Sequence, residues 1–153
     1  MADVKAFTVQ VPKNHRHAVV IEIKVALSVN IAEFSGMTKI EFAARALIDT
    51  GANRSCMSRR LVSVCNIAPI SYMSVRSAQG ISEANVYSVD FTLPSRIQFR
   101  NVPVMEFSGG SDFDVIIGMD ILSKGDIAIT NAENQMLFSM RIPSADKHID
   151  FTK

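Results

Sequence analysis

Asp49, Thr50 and Gly51 are the residues of this sequence whose types and order suggest chemistry. They follow an apolar run at residues 46–48, which is typical of a buried strand. Such a strand would carry Asp49 into the interior, where a lone ionised carboxylate is costly. We therefore expect Asp49 to work beside a second group, and the simplest candidate is the same stretch from a second chain.

Two carboxylates that share one proton can hydrolyse a peptide bond with water as the nucleophile. The reaction needs a base that deprotonates the water and an acid that protonates the carbonyl oxygen or the leaving nitrogen, both near one point. Carboxylates held roughly 3 Å apart cannot both ionise, so one stays protonated and the pair titrates as a unit. Such a pair supplies the base and the acid together.

Alternating apolar residues predict the strands that would position this stretch. Residues 19–31 alternate between apolar and polar types, as do residues 40–48, and a turn separates the two runs. This pattern predicts a hairpin of half-buried strands that delivers Asp49. After the loop the apolar spacing becomes helical, so we predict a short helix capped by Ser58 and running through about Val64.

The rest of the sequence predicts more strands and a second short helix. Residues 70–93 form two extended runs on either side of Gly80, which predicts a hairpin with a glycine at its tip. The remaining predicted elements are strands at 4–11, 97–99, 102–107, 115–117, 127–130 and 136–142, and a helical turn at 120–124. The total is an all-β domain closed on itself.

Two motifs in this sequence resemble those of a known family. Residues 47–52, Leu-Ile-Asp-Thr-Gly-Ala, look like the active-site signature of the retropepsin-like aspartic proteases. Residues 115–122 are similar to the second signature of that family, two aliphatic residues and a glycine before a short helix. The resemblance covers roughly residues 19–142. It implies a closed acid-protease barrel with one or two short helices, a glycine-tipped flap hairpin and a two-fold homodimer.

The resemblance also implies roles for individual residues. This chain has one Asp-Thr-Gly triplet, whereas pepsin-type proteases carry two, so Asp49 from each of two subunits would form the catalytic pair. Thr50 and Gly51 would complete the catalytic loop. The implied substrate-binding residues are Ala52, Asn53, Ala78, Gln79, Gly80 and Ile81. The substrate would be an extended polypeptide, and no metal ion or organic cofactor is needed.

Two positions depart from the retroviral members of the family. Those members commonly have an acidic residue where this chain has Asn53, and an arginine where it has Met119, and the two form an ion pair. Both partners are absent here, which leaves no unpaired charge. The sequence therefore resembles more closely the cellular and bacterial members, which often carry an aspartate where this chain has Asp120.

Composition limits the classes of function. The chain has 153 residues, 48% hydrophobic and 20% charged, with a net charge of +1. We expect one domain over residues 1–153, with a core at about 19–142 and a polar tail at 143–153 that is ordered only against a partner. The neutral balance argues against nucleic-acid and membrane partners. No apolar run or leader pattern indicates a membrane span or signal peptide, so we expect a cytoplasmic protein.

The two cysteines and the histidines predict no further chemistry. Cys56 and Cys65 are too few for a disulfide framework and are expected to be buried, reduced thiols. His15 and His17 have a spacing that could suit a metal, but the sequence offers no third ligand, so we predict a solvated turn and no metal site.

Two other interpretations of the same sequence stay open. A non-catalytic dimeric module could use the groove or the sheet edges to bind a peptide or to assemble something larger. The missing ion-pair residues and a flap tip with a single glycine favour that interpretation. Alternatively, the protease would be limited to self-processing, releasing itself from a precursor at its own termini.

Overall fold

The computed structural model describes residues 3–11, 17–28, 36, 39–77, 80–108 and 112–152. Within these ranges the chain forms strands, two short α-helices and one 3-10 turn. The strands are β1 (Lys5–Gln10), β2 (Val19–Leu27), β3 (Glu41–Ile48), β4 (Cys56–Ser58), β5 (Ser71–Ser77), β6 (Gly80–Leu93), β7 (Ile97–Phe107), β8 (Val115–Ile117), β9 (Asp126–Ala132) and β10 (Gln135–Ile142). The helices are α1 (Arg59–Cys65) and α2 (Met119–Leu122), and the 3-10 turn is Pro94–Arg96.

Six of the strands close into a barrel. Their hydrogen-bonded order is β2, β3, β8, β4, β7 and β6, and β6 pairs back with β2 to complete the ring. The β3–β8 and β4–β7 pairs are parallel, whereas the other pairs of the ring are antiparallel. The prediction of an all-β chain that closes on itself is therefore confirmed.

The barrel interior is filled by alternate residues of its strands. In β3, Ala44, Ala46 and Ile48 are buried, while Ala43 and Arg45 between them are exposed. This is the period of two that the sequence shows, and it sets which side chains of each strand face the core. Because Ile48 is the last inward residue of β3, the next residue stands at the end of the barrel.

A second sheet lies beside the barrel and contains the two chain-terminal regions. Its order is β1, β10 and β9, all antiparallel, and its inner face buries Phe7, Phe138 and Met140. Glu133 and Asn134 join β9 to β10 with backbone φ of 49° and 60°, as a tight hairpin turn requires. The two predicted final strands are confirmed, and both extend further towards the turn than expected.

Helix α1 begins where the sequence predicts it. The Ser58 hydroxyl accepts a hydrogen bond from the Leu61 amide at 3.1 Å, and Asn66 ends the helix in the left-handed conformation. The helix ends at Cys65, one residue beyond the predicted Val64, whose side chain is 55% exposed. With seven residues in α1 and four in α2, the described part of the chain has no helix long and apolar enough to cross a membrane.

Two strand predictions were wrong. Residues 97–99 and 102–107 are one continuous strand, β7, in which Asn101 has a positive φ of 53° and the pairing with β6 shifts register between Val89 and Phe91. The ladder is locally interrupted at this irregularity, but the strand continues through it. Strand β4 was not predicted, because three residues are too short to show a period.

The start of the polar tail is held by its own chain. The Ser144 hydroxyl and the Ala145 amide donate hydrogen bonds, each 2.6 Å long, to the two carboxylate oxygens of Asp126. The expectation that this tail is ordered only against a partner is therefore wrong for its first residues. Further along, Ile149 and Phe151 are exposed.

Candidate active site

The loop after β3 carries Asp49, and a parallel neighbour strand fixes where it begins. Ile48 pairs with Ile117 in the β3–β8 ladder, and the Asp49 amide donates to the Ile117 carbonyl at 3.0 Å. The strand ladder thus continues up to the backbone of Asp49. Regular backbone hydrogen bonding therefore holds the main chain of Asp49 at the mouth of the barrel.

Gly118 supports this loop from the end of β8. A Cβ at Gly118 would lie 2.8 Å from the Ala52 carbonyl oxygen and 2.8 Å from the Arg54 carbonyl carbon, both backbone atoms. The next residue, Met119, donates its amide to the Ala52 carbonyl at 2.8 Å. Only glycine permits this approach, so the end of the stretch at residues 115–118 packs under the loop.

Ser55 and Asp120 tie the end of the loop to helix α2. The Ser55 amide and hydroxyl donate to the two carboxylate oxygens of Asp120 at 3.0 and 2.8 Å, and the Gly118 amide donates to the Ser55 hydroxyl at 3.1 Å. Ser55 is fully buried. Sequence reasoning missed Ser55, because nothing local distinguishes a buried serine from a turn serine.

The Asp49 carboxylate has little internal hydrogen bonding. The Gly51 amide donates to one of its oxygens at 2.8 Å, and within the described residues this is its only hydrogen bond. In a single copy of the chain Asp49 is half-exposed and not buried. The predicted burial is therefore wrong for one copy, because β3 ends at the rim of the barrel and not inside it.

The other predicted loop residues lie together around Asp49. Thr50, Gly51 and Asn53 are exposed, Ala52 is half-buried, and the Ala52 amide donates to the Asp49 carbonyl at 3.3 Å. A Cβ at Gly51 would lie 3.2 Å from an Asp49 carboxylate oxygen, so a side chain there would crowd that oxygen. The loop therefore presents a carboxylate, a hydroxyl and open backbone to one side of the molecule.

Strands β5 and β6 lie where the hairpin around Gly80 was predicted, and they pair antiparallel. The two strands pair from Ser71 with Val86 to Ser77 with Gly80, and Gly80 has a φ of 123°. Ile81 is 69% exposed at the far end of the hairpin. Ala78 and Gln79, which were also predicted to bind substrate, lie outside the described residues.

A thiol stands next to the loop. Cys56 is a free, half-buried cysteine at the start of β4, and burial, followed by the negative charges of Asp120 and Asp49, raises its pKa. Burial and Asp114 likewise raise the pKa of Cys65 to about 11. Both thiols are reduced and protonated at neutral pH, although each is only half-buried and not buried as predicted.

Asp114, which directly precedes β8, is occupied by structural contacts. Arg60 donates to both of its carboxylate oxygens, and the Ser58 hydroxyl donates to one of them at 3.0 Å. These contacts fasten α1 to the start of β8. Nowhere in the described ranges do three His, Cys, Asp or Glu side chains gather in a way that could hold a metal ion.

The fold and the site together define a class of protein. A closed six-stranded barrel with an Asp-Thr-Gly loop packed on the glycine of a second strand end is the arrangement of a retropepsin-like aspartic protease. Residues 36–124 match the model of a family described as "gag-polyprotein putative aspartyl protease". That match spans more than half of the chain, so the chain belongs to this family.

The chain was also matched to proteins of known structure, and a bacterial one shares its fold. The chain is similar to a retropepsin-like aspartic protease from Rickettsia conorii, with a TM-score of 0.54 and 12% identity over 91% of this chain and 94% of that one. It also matches the retroviral protease-like domain of Ddi1 from Leishmania major, with a TM-score of 0.40, 18% identity and coverage of 84% and 98%. No curated protein sequence matches the chain. The resemblance to retropepsin-like proteases, drawn from two short motifs, is confirmed.

Proposed function

We propose that this protein is an aspartic endopeptidase that works as a homodimer, with Asp49 of each copy in a shared site. The observation that carries the proposal is the state of Asp49. Its loop is tied down on both sides, yet its carboxylate accepts only the Gly51 amide within the described residues and stays half-exposed. A carboxylate that is rigidly placed but not consumed by structure is available to a second group and to a substrate.

The second group is a second Asp49. The chain carries one Asp-Thr-Gly triplet, and the nearby Asp120 and Asp114 carboxylates are both bound within the chain. A two-fold axis beside the loop brings identical carboxylates together without any further sequence requirement. A single copy of the chain is therefore inactive under this proposal.

Catalysis follows from one proton shared by the pair. The ionised carboxylate removes a proton from a water molecule, whose oxygen attacks the peptide carbonyl carbon, while the protonated carboxyl gives its proton to the carbonyl oxygen. Collapse of the tetrahedral intermediate breaks the carbon–nitrogen bond, and the leaving nitrogen takes up a proton from the pair. The substrate sets which Asp49 holds the proton at the start.

The substrate is a polypeptide in extended conformation. The hairpin tip, with Ala78, Gln79, Gly80 and Ile81, would lie over the substrate as a flap and bond its backbone as an added strand. Ala52 and Asn53 would line the opposite side next to the catalytic residues. The exposure of Gly80, Ile81 and Asn53 in a single copy supports this arrangement.

The test is cleavage of an unfolded protein from acid to neutral pH by wild type and Asp49→Asn, with sedimentation in parallel. We expect the wild type to form a dimer that cleaves and Asp49→Asn to be inactive. A wild-type dimer that cleaves no more than Asp49→Asn would favour the non-catalytic module. A protein that stays monomeric at high concentration while cleaving would contradict the shared pair.

Self-processing has its own readout. If the enzyme cleaves only its own termini, the purified wild type is shorter than Asp49→Asn in mass spectrometry and cleaves no added substrate. Equal masses together with cleavage of the added protein would exclude that restriction.

A further inference from the structure

The hairpin of β5 and β6 leaves the barrel at a defined point. Residues 80–85 of β6 pair only with β5, whereas from Val86 onward β6 also pairs with β7. Burial changes at the same place, because Asn85 is exposed and the following six residues are buried. We call residues 71–77 and 80–85 the arm, and its junction with the barrel lies between Asn85 and Val86.

Glu106 lies at this junction and contacts both of its sides. One of its carboxylate oxygens accepts from the Asn85 side-chain amide at 3.3 Å, and the other accepts from the Tyr87 hydroxyl at 3.1 Å. Arg59 of α1 approaches the first oxygen at 3.9 Å. The carboxylate thus connects the last residue of the arm to the barrel and to the helix.

The environment of Glu106 favours a fixed geometry. Its side chain is only 15% exposed, although glutamate is normally a surface residue. Tyr87 is 3% exposed, and its backbone is held in the barrel ladder opposite Val104. Burial raises the pKa of Tyr87, a hydrogen bond from the Asn85 side chain opposes this rise, and Glu106 adds to it, so the phenol stays protonated as a donor. Asn85, by contrast, is held at its side chain by this carboxylate.

We propose that Glu106 is a positioning residue that sets the orientation of the arm through the Asn85 amide. The inference rests on the proposed function only where the arm covers a substrate. With the Asn85 contact formed, the arm is already ordered before binding, so less conformational freedom is lost when an extended peptide enters. Without it, the arm is joined to the barrel through the backbone of its two strands, including the pairing of Ser71 with Val86.

Hydrogen exchange of the dimeric or monomeric protein as purified tests the positioning directly. We compare wild type, Glu106→Ala and Asn85→Ala with Glu83→Ala, which removes an exposed glutamate from the same arm. We expect arm amides in Glu106→Ala and Asn85→Ala to exchange about fivefold faster, the effect of losing one net hydrogen bond. Amides of β2 and β3 should be unchanged.

Asn85 makes the test secure against misfolding. Its side chain is exposed, so Asn85→Ala should fold even if Glu106→Ala does not. Asn85→Asp keeps the shape but places a second negative charge beside Glu106, and arm exchange should then be faster than in Asn85→Ala. Arm exchange in Asn85→Ala no faster than in Glu83→Ala would overturn the inference.

Peptide hydrolysis separates this inference from the proposed function. In an active enzyme, Asn85→Ala should raise KM several-fold with kcat nearly unchanged. The substitution weakens binding of the peptide under the arm and leaves the pair of Asp49 carboxylates intact. A fall in kcat with unchanged KM would overturn the positioning role. If wild type hydrolyses nothing, the proposed function fails while the exchange experiment still decides the role of Glu106.

Discussion

Asp49 and Asp120 follow neighbouring strand ends of the same barrel, yet their carboxylates are used in opposite ways. Asp120 has both oxygens bound by Ser55, whose own hydroxyl accepts from Gly118. Asp49 accepts one hydrogen bond, from Gly51, within the described residues. The Asp120 carboxylate stabilises the loop, whereas the Asp49 carboxylate is carried by the loop and stays half-exposed.

The difference shows how a fold can keep a carboxylate available for chemistry. Each buried polar atom of the support is matched to a partner, and across the described residues no buried side-chain nitrogen or oxygen is left without one. The loop is therefore held in place without any contribution from the second carboxylate oxygen of Asp49, the one that does not accept from Gly51. Activity and stability should respond to different residues of the same loop.

Exchanging the two carboxylates for amides is the strongest test of this comparison. Asp49→Asn should lower peptide hydrolysis about 100-fold or more, because it removes the proton-transfer group, and change the free energy of unfolding by less than about 0.5 kcal/mol. Asp120→Asn should instead cost about 1–3 kcal/mol of stability, since one of two acceptors becomes a donor. Kinetics and urea unfolding of both proteins measure this. Equal destabilisation by the two substitutions would break the comparison.

Gly118→Ala should give the next largest effect. The added methyl group would lie 2.8 Å from backbone atoms of Ala52 and Arg54. Because these are backbone atoms, no side-chain rotation can remove the clash. We expect a loss of about 1–3 kcal/mol in unfolding free energy, typical of an overpacked site, together with reduced hydrolysis. Gly118 has a φ of −96°, which any residue adopts, so a loss of stability would report on this contact and not on backbone strain. Full stability in Gly118→Ala would show that the loop does not depend on this contact.

Thr50 sharpens the comparison at the level of the dimer. Its side chain is exposed in one copy, so Thr50→Val should leave the stability of the single chain within about 0.5 kcal/mol. If the hydroxyl bonds across the two-fold axis, Thr50→Val weakens dimerisation about fivefold, whereas Thr50→Ser does not. Sedimentation over a concentration series distinguishes them. Identical dimer dissociation constants for Thr50→Val and Thr50→Ser would remove the hydroxyl from the interface.

Asp126 is the smallest test, because its carboxylate is exposed yet serves structure. Hydrogen bonds from the Ala145 amide and then the Ser144 hydroxyl lower its pKa below 3.8. A depressed pKa means that the contact is present at neutral pH and is lost as pH falls through the folded-state pKa. The Ala145 amide shift in NMR should therefore change with a midpoint below 3.8, and Asp126→Asn should abolish the change. A midpoint at or above 3.8 would contradict the contact.

Local sequence patterns predicted much of this molecule. Alternation gave β2, β3 and the β5–β6 hairpin, and a polar cap gave the start of α1 at Ser58. The Asp-Thr-Gly triplet and Gly118 could also be singled out from the sequence. A carboxylate or a glycine at the end of an apolar strand is energetically costly, so its presence indicates a specific role.

What could not be predicted depends on distant parts of the chain. The buried Ser55 is satisfied by Asp120, 65 residues away in the sequence, whose carboxylate accepts hydrogen bonds from its amide and its hydroxyl. The half-exposure of Asp49 depends on where the closed barrel ends, and the exposure of Val64 depends on which face of α1 the barrel covers. None of these leaves a period or a motif in the local sequence.

The parallel pairing of β3 with β8 has a consequence for how the molecule is made. Since Ile48 pairs with Ile117 and Gly118 underlies the loop, the residues around Asp49 are synthesised well before the segment that shapes them. Non-local pairing of this kind forms late and slowly. A nascent chain whose α2 is still inside the ribosome therefore lacks the contacts that shape the loop around Asp49, and under the proposed function it cannot hydrolyse a peptide until that segment has emerged.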